Sequence, residues 1–441
     1  MNPRNLLRAW DVFWFAPASP VPVAVYRILL GLIVLHYGVL LAPELLLWLG
    51  ESGTFSLDSA REFSRPYTTH LIGFLPARDA WVIGFYAVLM TSALTLTVGL
   101  FTRTSAVMTY LCLLAFHNRN PFILNSADIF MRLSVLWLGF SQAGAAISVD
   151  RLRRVARGEE LGPLKPRSPV GQRLIQCQLA IMYFSTSFWK VLKGQGSWFD
   201  GTAMYYALRL EVYQRLPVPV FLDQMWVYQA LSLGTIVAES ALWSLIWLPR
   251  YRYWALASGV GLHLGVDCFM NIPLFSLVTL ATYVTFVPSE HLTQVMAAIR
   301  HGIRRRWGES TPVFYDGDCG LCVRSVRVLS HLDLFRRLSL IDFRQPGSTA
   351  AWRDFDAKRA EGELLVRSAH GRWYGGFLAF RWMAWRLPLG WGIAPWLYVP
   401  GIAWLGQHIY ALVARNRLLC FGRSCETGAC RLHRHVAARH S

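Results

Sequence analysis

The sequence predicts a polytopic α-helical membrane protein of about eight transmembrane helices, followed by a small C-terminal α/β domain. Three observations predict this. The chain of 441 residues is 54% hydrophobic and 14% aromatic with 19 tryptophans, too apolar for an ordinary soluble protein. Apolar stretches at the scale of a helical crossing recur as far as residue 288. Beyond residue 310 the pattern changes to short apolar strands alternating with helical spacing.

Taking about 20 apolar residues as one crossing, spans fall near 22–42, 81–101, 104–117, 127–147, 173–192, 225–248, 253–271 and 272–288, the third and eighth being short. Only 16% of residues are charged, yet the net charge is +18, so the basic residues must gather. With the N-terminus in the cytoplasm, the inner connections hold Arg103, the basic stretch 151–173, Arg250 with Arg252, and Arg300 with Arg304, Arg305 and Arg306. The outer connections mix Arg and Lys with Glu44, Glu51, Asp58, Asp79, Asp200, Glu211 and Asp223. This asymmetry puts both chain ends on the cytoplasmic side of a bacterial-type inner membrane. Basic clusters also attract anionic headgroups, so the lipid bilayer is the first expected partner. No aromatic-interleaved basic surface points to nucleic acid, and none is expected as a partner. The N-terminal MNPRNLLRAWDVFWFAP lacks a small-residue cleavage site and reads as mature protein.

The chain divides into a membrane domain (1–290), an amphipathic basic linker (291–310) and a soluble domain (311–441). His291 to Trp307 forms an amphipathic helix whose basic end suits the inner leaflet. Val313, Phe314 and Tyr315 make a strand, Asp316 to Asp318 a turn, and Val323, Val326 and Leu329 recur at helical spacing. A strand follows at 338–343, then a hairpin, ELLVRSAHGRWYGG, and helices to about residue 415. That order predicts a thioredoxin-like α/β domain. The apolar run from Leu387 to Val413 is broken by Pro388, Pro395 and Pro400 and is expected to stay out of the bilayer.

Cys319 and Cys322 form a Cys-x-x-Cys pair between that first strand and the helix. The positive end of the helix dipole, with Arg324 and Arg327 nearby, favours thiolate chemistry. FYDGDCGLC and the later YALVARNRLLCFGRSC resemble the DCC family of thiol-disulfide oxidoreductases, over Pro312 to about Cys430. The resemblance implies that Cys319 is the exposed attacking thiol and Cys322 the resolving one, with Asp316 and Asp318 shaping the turn. It also implies a cytoplasmic thiol or disulfide partner. Thioredoxin-like enzymes usually place a cis-proline opposite the pair, and AKRAEGELLV before the hairpin offers none. Cys112, Cys177 and Cys268 lie singly in apolar segments and read as packing residues. Cys420, Cys425 and Cys430, followed by His433 and His435, are a weak alternative metal set, since structural zinc sites more often use shorter gaps. No metal is expected.

Polar residues inside spans are costly and therefore functional candidates. His117, Asp128, Lys190, His263, Asp267 and Asn271 all fall toward the outer face in this topology. Lys190 sits among Tyr183, Phe184, Phe188, Trp189 and Trp198, where a desolvated lysine can act as a base. His263 and Asp267 lie one turn apart and face the same way. Glu239, Arg27 and Arg132 are candidates for structural pairing inside the bundle.

Three stretches, MYFSTSFWKVLKGQGSWFDGTAMYYAL, SVDRL and HLGVDCFMNIPLFSLVTLATYVTFVP, resemble the vitamin K-dependent γ-glutamyl carboxylases and the wider HTTM membrane family, across about residues 10–290. The resemblance implies that Lys190 is the base that activates a reduced quinone for reaction with oxygen, after which a proton leaves glutamate and carbon dioxide adds. His117 falls near the family's functional histidine and His263 near another polar position. A quinone or hydroquinone is the implied cofactor, although no quinone motif is visible. The sequence shows no counterpart to the large lumenal domain of the animal carboxylases, so a Glu-rich protein substrate is not implied. The expected function is an integral membrane redox enzyme; the alternative is a redox-sensing scaffold or transporter with no chemistry in the bundle. The cysteine pair and the Lys190 cluster lie on opposite sides of the membrane in this topology.

Overall fold

The computed structural model describes residues 3–62, 78–160, 163–308 and 310–421, apart from the side chains of Leu57, Arg61, Trp307, Leu389 and 417–421. The chain forms two compact units, one from 1–150 and 164–292, the other from 151–163 and the chain beyond 293.

The first unit is helical. Its longer elements are α1 (Pro3–Phe15), α2 (Val21–Leu41), α3 (Asp79–Val98), α4 (Thr102–Arg119), α5 (Ser126–Gly139), α7 (Val170–Lys193), α8 (Met225–Ser244), α9 (Arg252–Phe269) and α10 (Phe275–Tyr283), while α6 (Val149–Arg157), between α5 and α7 in the chain, falls mostly in the second unit. α11 (Ser289–Trp307) follows, where an amphipathic helix is expected. Helices therefore occupy every predicted span. Among the described residues, three helical stretches are long and apolar enough to cross a membrane, Val21–Leu49, Asp79–Val98 and Met225–Trp247. The interior is one apolar cluster that includes Tyr26, Leu30, Leu89, Phe116, Met131 and Val278. The outside is apolar as well: Val237 is 67% and Leu264 60% exposed. Helices hydrophobic all round belong in a lipid environment.

The expected span 127–147 is corrected: α5 ends at Gly139. The segment beyond it is held by Arg27, which is fully buried in α2. Its Nη1 donates to the Ala143 carbonyl at 2.9 Å, and its Nη2 to those of Ile147 at 2.6 Å and Thr97 at 3.4 Å. Carbonyls beyond a helix end lack an intrahelical donor, and the guanidinium supplies one. Gly99 closes α3 in the left-handed conformation, and a Cβ there would stand 2.4 Å from Arg27 Nη1. Asp150 then caps α4, accepting from the Phe101 and Thr102 amides and the Thr102 hydroxyl, each at 2.8 Å.

The second unit contains β1 (Thr311–Tyr315), α12 (Gly320–Leu332), β2 (Leu338–Asp342), α13 (Ala357–Gly362), β3 (Leu365–Arg367), β4 (Trp373–Gly375), α14 (Gly376–Ala384) and α15 (Pro400–Phe421). The strands make a mixed sheet in the order β2-β1-β3-β4. β1 runs parallel to β2, with Val313 opposite Leu340, and antiparallel to β3, with Val313 opposite Val366; β3 and β4 are the predicted hairpin. Alternation along β1 sends Val313 and Tyr315 toward α12 and α14, and Phe314 toward Trp352, Phe355 and Trp373. The run 387–413 is broken, as expected, into 3-10 turns and α15, which starts at Pro400.

Candidate functional site

The cysteine pair is carried by the turn from β1 into α12. Asp316 is buried, and its Oδ1 accepts from the Asp318 amide at 3.0 Å. Arg344 grips the same carboxylate in a fork, Nε to Oδ1 at 3.0 Å and Nη2 to Oδ2 at 3.2 Å. Asp342, at the end of the neighbouring β2, accepts from the Gly317 amide at 3.0 Å and the Arg344 amide at 3.1 Å. Gly317 is required there, because a Cβ would stand 2.3 Å from Asp342 Oδ2. Arg344 also bonds Glu361 at 3.2 Å and lies 4.0 Å from Asp318, which is largely exposed. The Asp316 hydrogen bond holds the Arg344 guanidinium well above its usual range.

Cys319 is the N-cap residue of α12, with its amide bonded to the Asp316 carbonyl at 3.2 Å. Its Sγ accepts from the Cys322 amide at 3.4 Å. The expectation of an exposed Cys319 is corrected: it is 0% exposed, and Cys322 is the half-buried, more accessible partner. A sulfur that caps a helix is turned inward onto its first turn. The same placement gives a thiolate a backbone donor and the positive end of the dipole. Arg324 is exposed and Arg327 buried, and burial lowers the Arg327 guanidinium below its usual range.

In the helical unit a polar line runs along α7. Lys190 Nζ forms an ion pair with Glu239 of α8 and lies 4.6 Å over the Trp198 ring. Two turns earlier on the same helix, the Tyr183 hydroxyl meets His263 Nε2 at 2.6 Å and the Tyr283 hydroxyl at 2.8 Å. Thr279 Oγ1 reaches His263 Nδ1 at 3.3 Å. Gly259 makes room, since a Cβ there would stand 2.3 Å from the Tyr283 hydroxyl. The two sets are thus carried by one helix, two turns apart. Both carry titratable groups out of water, the arrangement in which protons can be held or passed.

Residues 15–291 match the family model of the HTTM domain. The chain belongs to the HTTM family. Residues 313–423 match a second model, the DCC1-like thiol-disulfide oxidoreductase, so the HTTM unit is fused to a redox domain, as expected from the sequence. Together they fit a membrane redox protein. Searches of curated proteins and of solved structures found no match.

Within the HTTM unit, Lys190 pairs with Glu239, and His263 with Tyr183 two turns earlier on α7. His117 stands apart: it is 1% exposed, packs edge-on to Tyr37 and has no hydrogen-bond partner on either ring nitrogen among the described residues. Asp128 caps α5 in a capping box with Asn125. His263 and Asp267, one turn apart on α9, have different partners. Asp267 is more than half exposed and lies 3.4 Å from Arg215, whose Nη2 reaches Asn271 at 3.5 Å. The reason is the loop through Gln214 and Arg215, which is bonded to the end of α9 at Phe269 and Met270. Glu239, a candidate from the sequence for pairing inside the bundle, is the partner of Lys190; its signal was a lone carboxylate inside an apolar span. Cys425, Cys430, His433 and His435 lie outside the described residues, as does the side chain of Cys420. Among the described residues no group of three His, Cys, Asp or Glu side chains could hold a metal.

Proposed function

We propose that this HTTM protein is an integral membrane thiol-disulfide oxidoreductase, crossing the bilayer about eight times, with its thioredoxin-like DCC1-like domain in the cytoplasm. The observation that carries it is Cys319 at the N-cap of α12, on a turn fastened by Asp316, Asp342 and Arg344. The Cys319 thiolate attacks one sulfur of a partner disulfide; that bond breaks, the departing sulfur takes a proton, and a mixed disulfide forms. Cys322 then loses its proton and attacks Cys319 Sγ, freeing the second partner thiol. Two electrons and two protons pass to the partner, and a Cys319–Cys322 disulfide remains. Because Cys319 is buried, the partner has to displace its cover on docking. Cys322→Ser is expected to trap a partner-linked adduct on Cys319 in intact membranes, resolved by non-reducing gels and mass spectrometry. Adducts on Cys322 in Cys319→Ser, with none in Cys322→Ser, would reverse the roles.

We further propose that the bundle takes a quinone or hydroquinone beside Lys190. A bound hydroquinone supplies a lipid-soluble pair of electrons and protons. Lys190 holds or takes a proton at Nζ with Glu239 as its counter-ion, and Tyr183, His263 and Tyr283 extend the path. The HTTM match and the resemblance of this segment to the γ-glutamyl carboxylases support the assignment. Loss of quinol oxidation by membranes carrying Lys190→Ala, at normal protein levels, supports it; unchanged turnover rejects it. The rival, a redox-sensing scaffold or transporter, is favoured by the closed Lys190–Glu239 pair and requires that unchanged result.

A further inference from the structure

A cleft of about 770 Å3 in the first unit takes no part in either activity. Its lining includes Phe13, Arg173, Trp247, Arg252, Phe286 and Glu290. The two arginines are its distinguishing feature. Arg173 Nε donates to the Phe13 carbonyl at 3.1 Å and its Nη1 to Gln176 Oε1 at 2.9 Å, while its guanidinium lies 4.6 Å over the Phe13 ring. Arg252 Nε donates to the Ile246 carbonyl at 3.2 Å. Every one of these acceptors is neutral, and among the described residues neither arginine forms an ion pair. Both line the same cleft. Two guanidinium groups in a partly desolvated cleft, neither of them in an ion pair, are unfavourable until an anion arrives.

The walls are built to keep this arrangement. Ala18 and Arg167 exchange both backbone hydrogen bonds at 2.8 Å, closing one side. Gln172 and Gln176 both donate to the Thr285 carbonyl, at 2.7 and 2.6 Å. The first turns of α2, α7, α9 and α11 supply Pro22, Gln172, Arg252 and Ser289 to the lining, so their partial positive ends add to the arginines. The carboxylate in the lining, Glu290, accepts from the Ser289 hydroxyl at 2.9 Å. Beside the guanidinium groups stands an aromatic wall, Phe13 against Trp247 at 5.6 Å and Trp247 against Phe286 at 5.2 Å. A charged floor next to an aromatic wall matches an amphiphile better than a free ion.

We propose that this cleft binds the phosphodiester headgroup of an anionic phospholipid, with the phosphate on Arg173 and Arg252 and the start of the glyceride on the aromatic wall. This rests on the membrane placement of the HTTM unit and not on either proposed chemistry.

The test uses the full chain, purified in detergent and stripped of lipid, then titrated by native mass spectrometry with phosphatidylglycerol, phosphatidylcholine or inorganic phosphate. Phosphatidylglycerol should bind in preference to phosphatidylcholine. At about 1 kcal/mol per arginine, Arg173→Gln or Arg252→Gln should weaken it about fivefold and the pair about 30-fold. Arg250→Gln, at an exposed arginine outside the lining, should stay within about twofold of the parent. Arg173→Lys and Arg252→Lys, which keep the charge, should retain most of the affinity and show that the glutamine variants fail by charge and not by misfolding. Equal binding of the two lipids, or unchanged binding in the double glutamine variant, would overturn the site. Inorganic phosphate binding as tightly as phosphatidylglycerol, with the same losses in the variants, would overturn its lipid source.

Discussion

Replacing Gly317 by alanine is expected to unfasten the turn that carries Cys319. The new Cβ would lie 2.3 Å from Asp342 Oδ2 and 2.6 Å from Asp342 Cγ and Oδ1. Ordinary contact begins near 3.4 Å, so the carboxylate must retreat by about 1 Å. Its bonds to the Gly317 and Arg344 amides, 3.0 and 3.1 Å long, are then beyond reach. Each bond to a charged acceptor contributes about 1.5–3 kcal/mol, and rotation of the carboxylate toward water recovers part of it, leaving a net loss of about 3 kcal/mol. Hydrogen exchange of the β1 and β2 amides in the full chain measures this directly. Where the local opening is the rate-determining equilibrium, exchange should quicken roughly 150-fold, because each 1.4 kcal/mol is about tenfold. Alkylation of Cys319, which is buried in the parent, should quicken in step. Exchange within about threefold of the parent would refute the claim that the Gly317–Asp342 contact holds the motif.

Three further outcomes are expected. Arg27→Met leaves the Ala143, Ile147 and Thr97 carbonyls without their donor and should cost about 3 kcal/mol, seen as a lower unfolding midpoint in detergent; a midpoint unchanged from the parent would show the guanidinium to be dispensable. Tyr283→Phe removes the hydroxyl bonded to Tyr183 and should lower quinol turnover while sparing Cys319 trapping, whereas a fall in both would mean a general folding defect. The Trp373 indole N–H, aided by Arg367, holds the Asp354 carboxyl below the usual carboxylate range. A depressed carboxylate contributes its stability above the unfolded value and loses it as pH falls through the folded one. Protection of the β3–β4 hairpin, corrected for intrinsic exchange, should therefore drop at acid pH in the parent and not in Asp354→Asn.

Local pattern made much of the fold legible. The apolar run at Val313 to Tyr315 and the helical spacing of Val323, Val326 and Leu329 locate β1 and α12. The turn residues around His370 and Gly371 locate the hairpin. Long-range pairing was not legible. Lys190 meets Glu239 across 49 positions, Tyr183 meets Tyr283 across 100, and Arg27 reaches Ile147 across 120. Periodicity says which face of a helix is polar but not which neighbour it meets, so the spacing of His263 and Asp267 did not reveal Arg215 beside Asp267. The burial of Cys319 hung on a side-chain rotation at the N-cap, a degree of freedom that residue spacing leaves open.

The Arg27 contacts also bear on how this protein is made. Its acceptors at residues 143 and 147 are translated 116 and 120 positions after it. At about 5–20 residues per second, α2 would wait roughly 6–24 s with its guanidinium unsatisfied. During that interval the helix is a poor resident of hydrocarbon, and residence at the interface or shelter by the insertion machinery is favoured. Arrival of residues 143–147 then supplies the carbonyls that let α2 settle, so it is secured only after α3, α4 and α5 have been made.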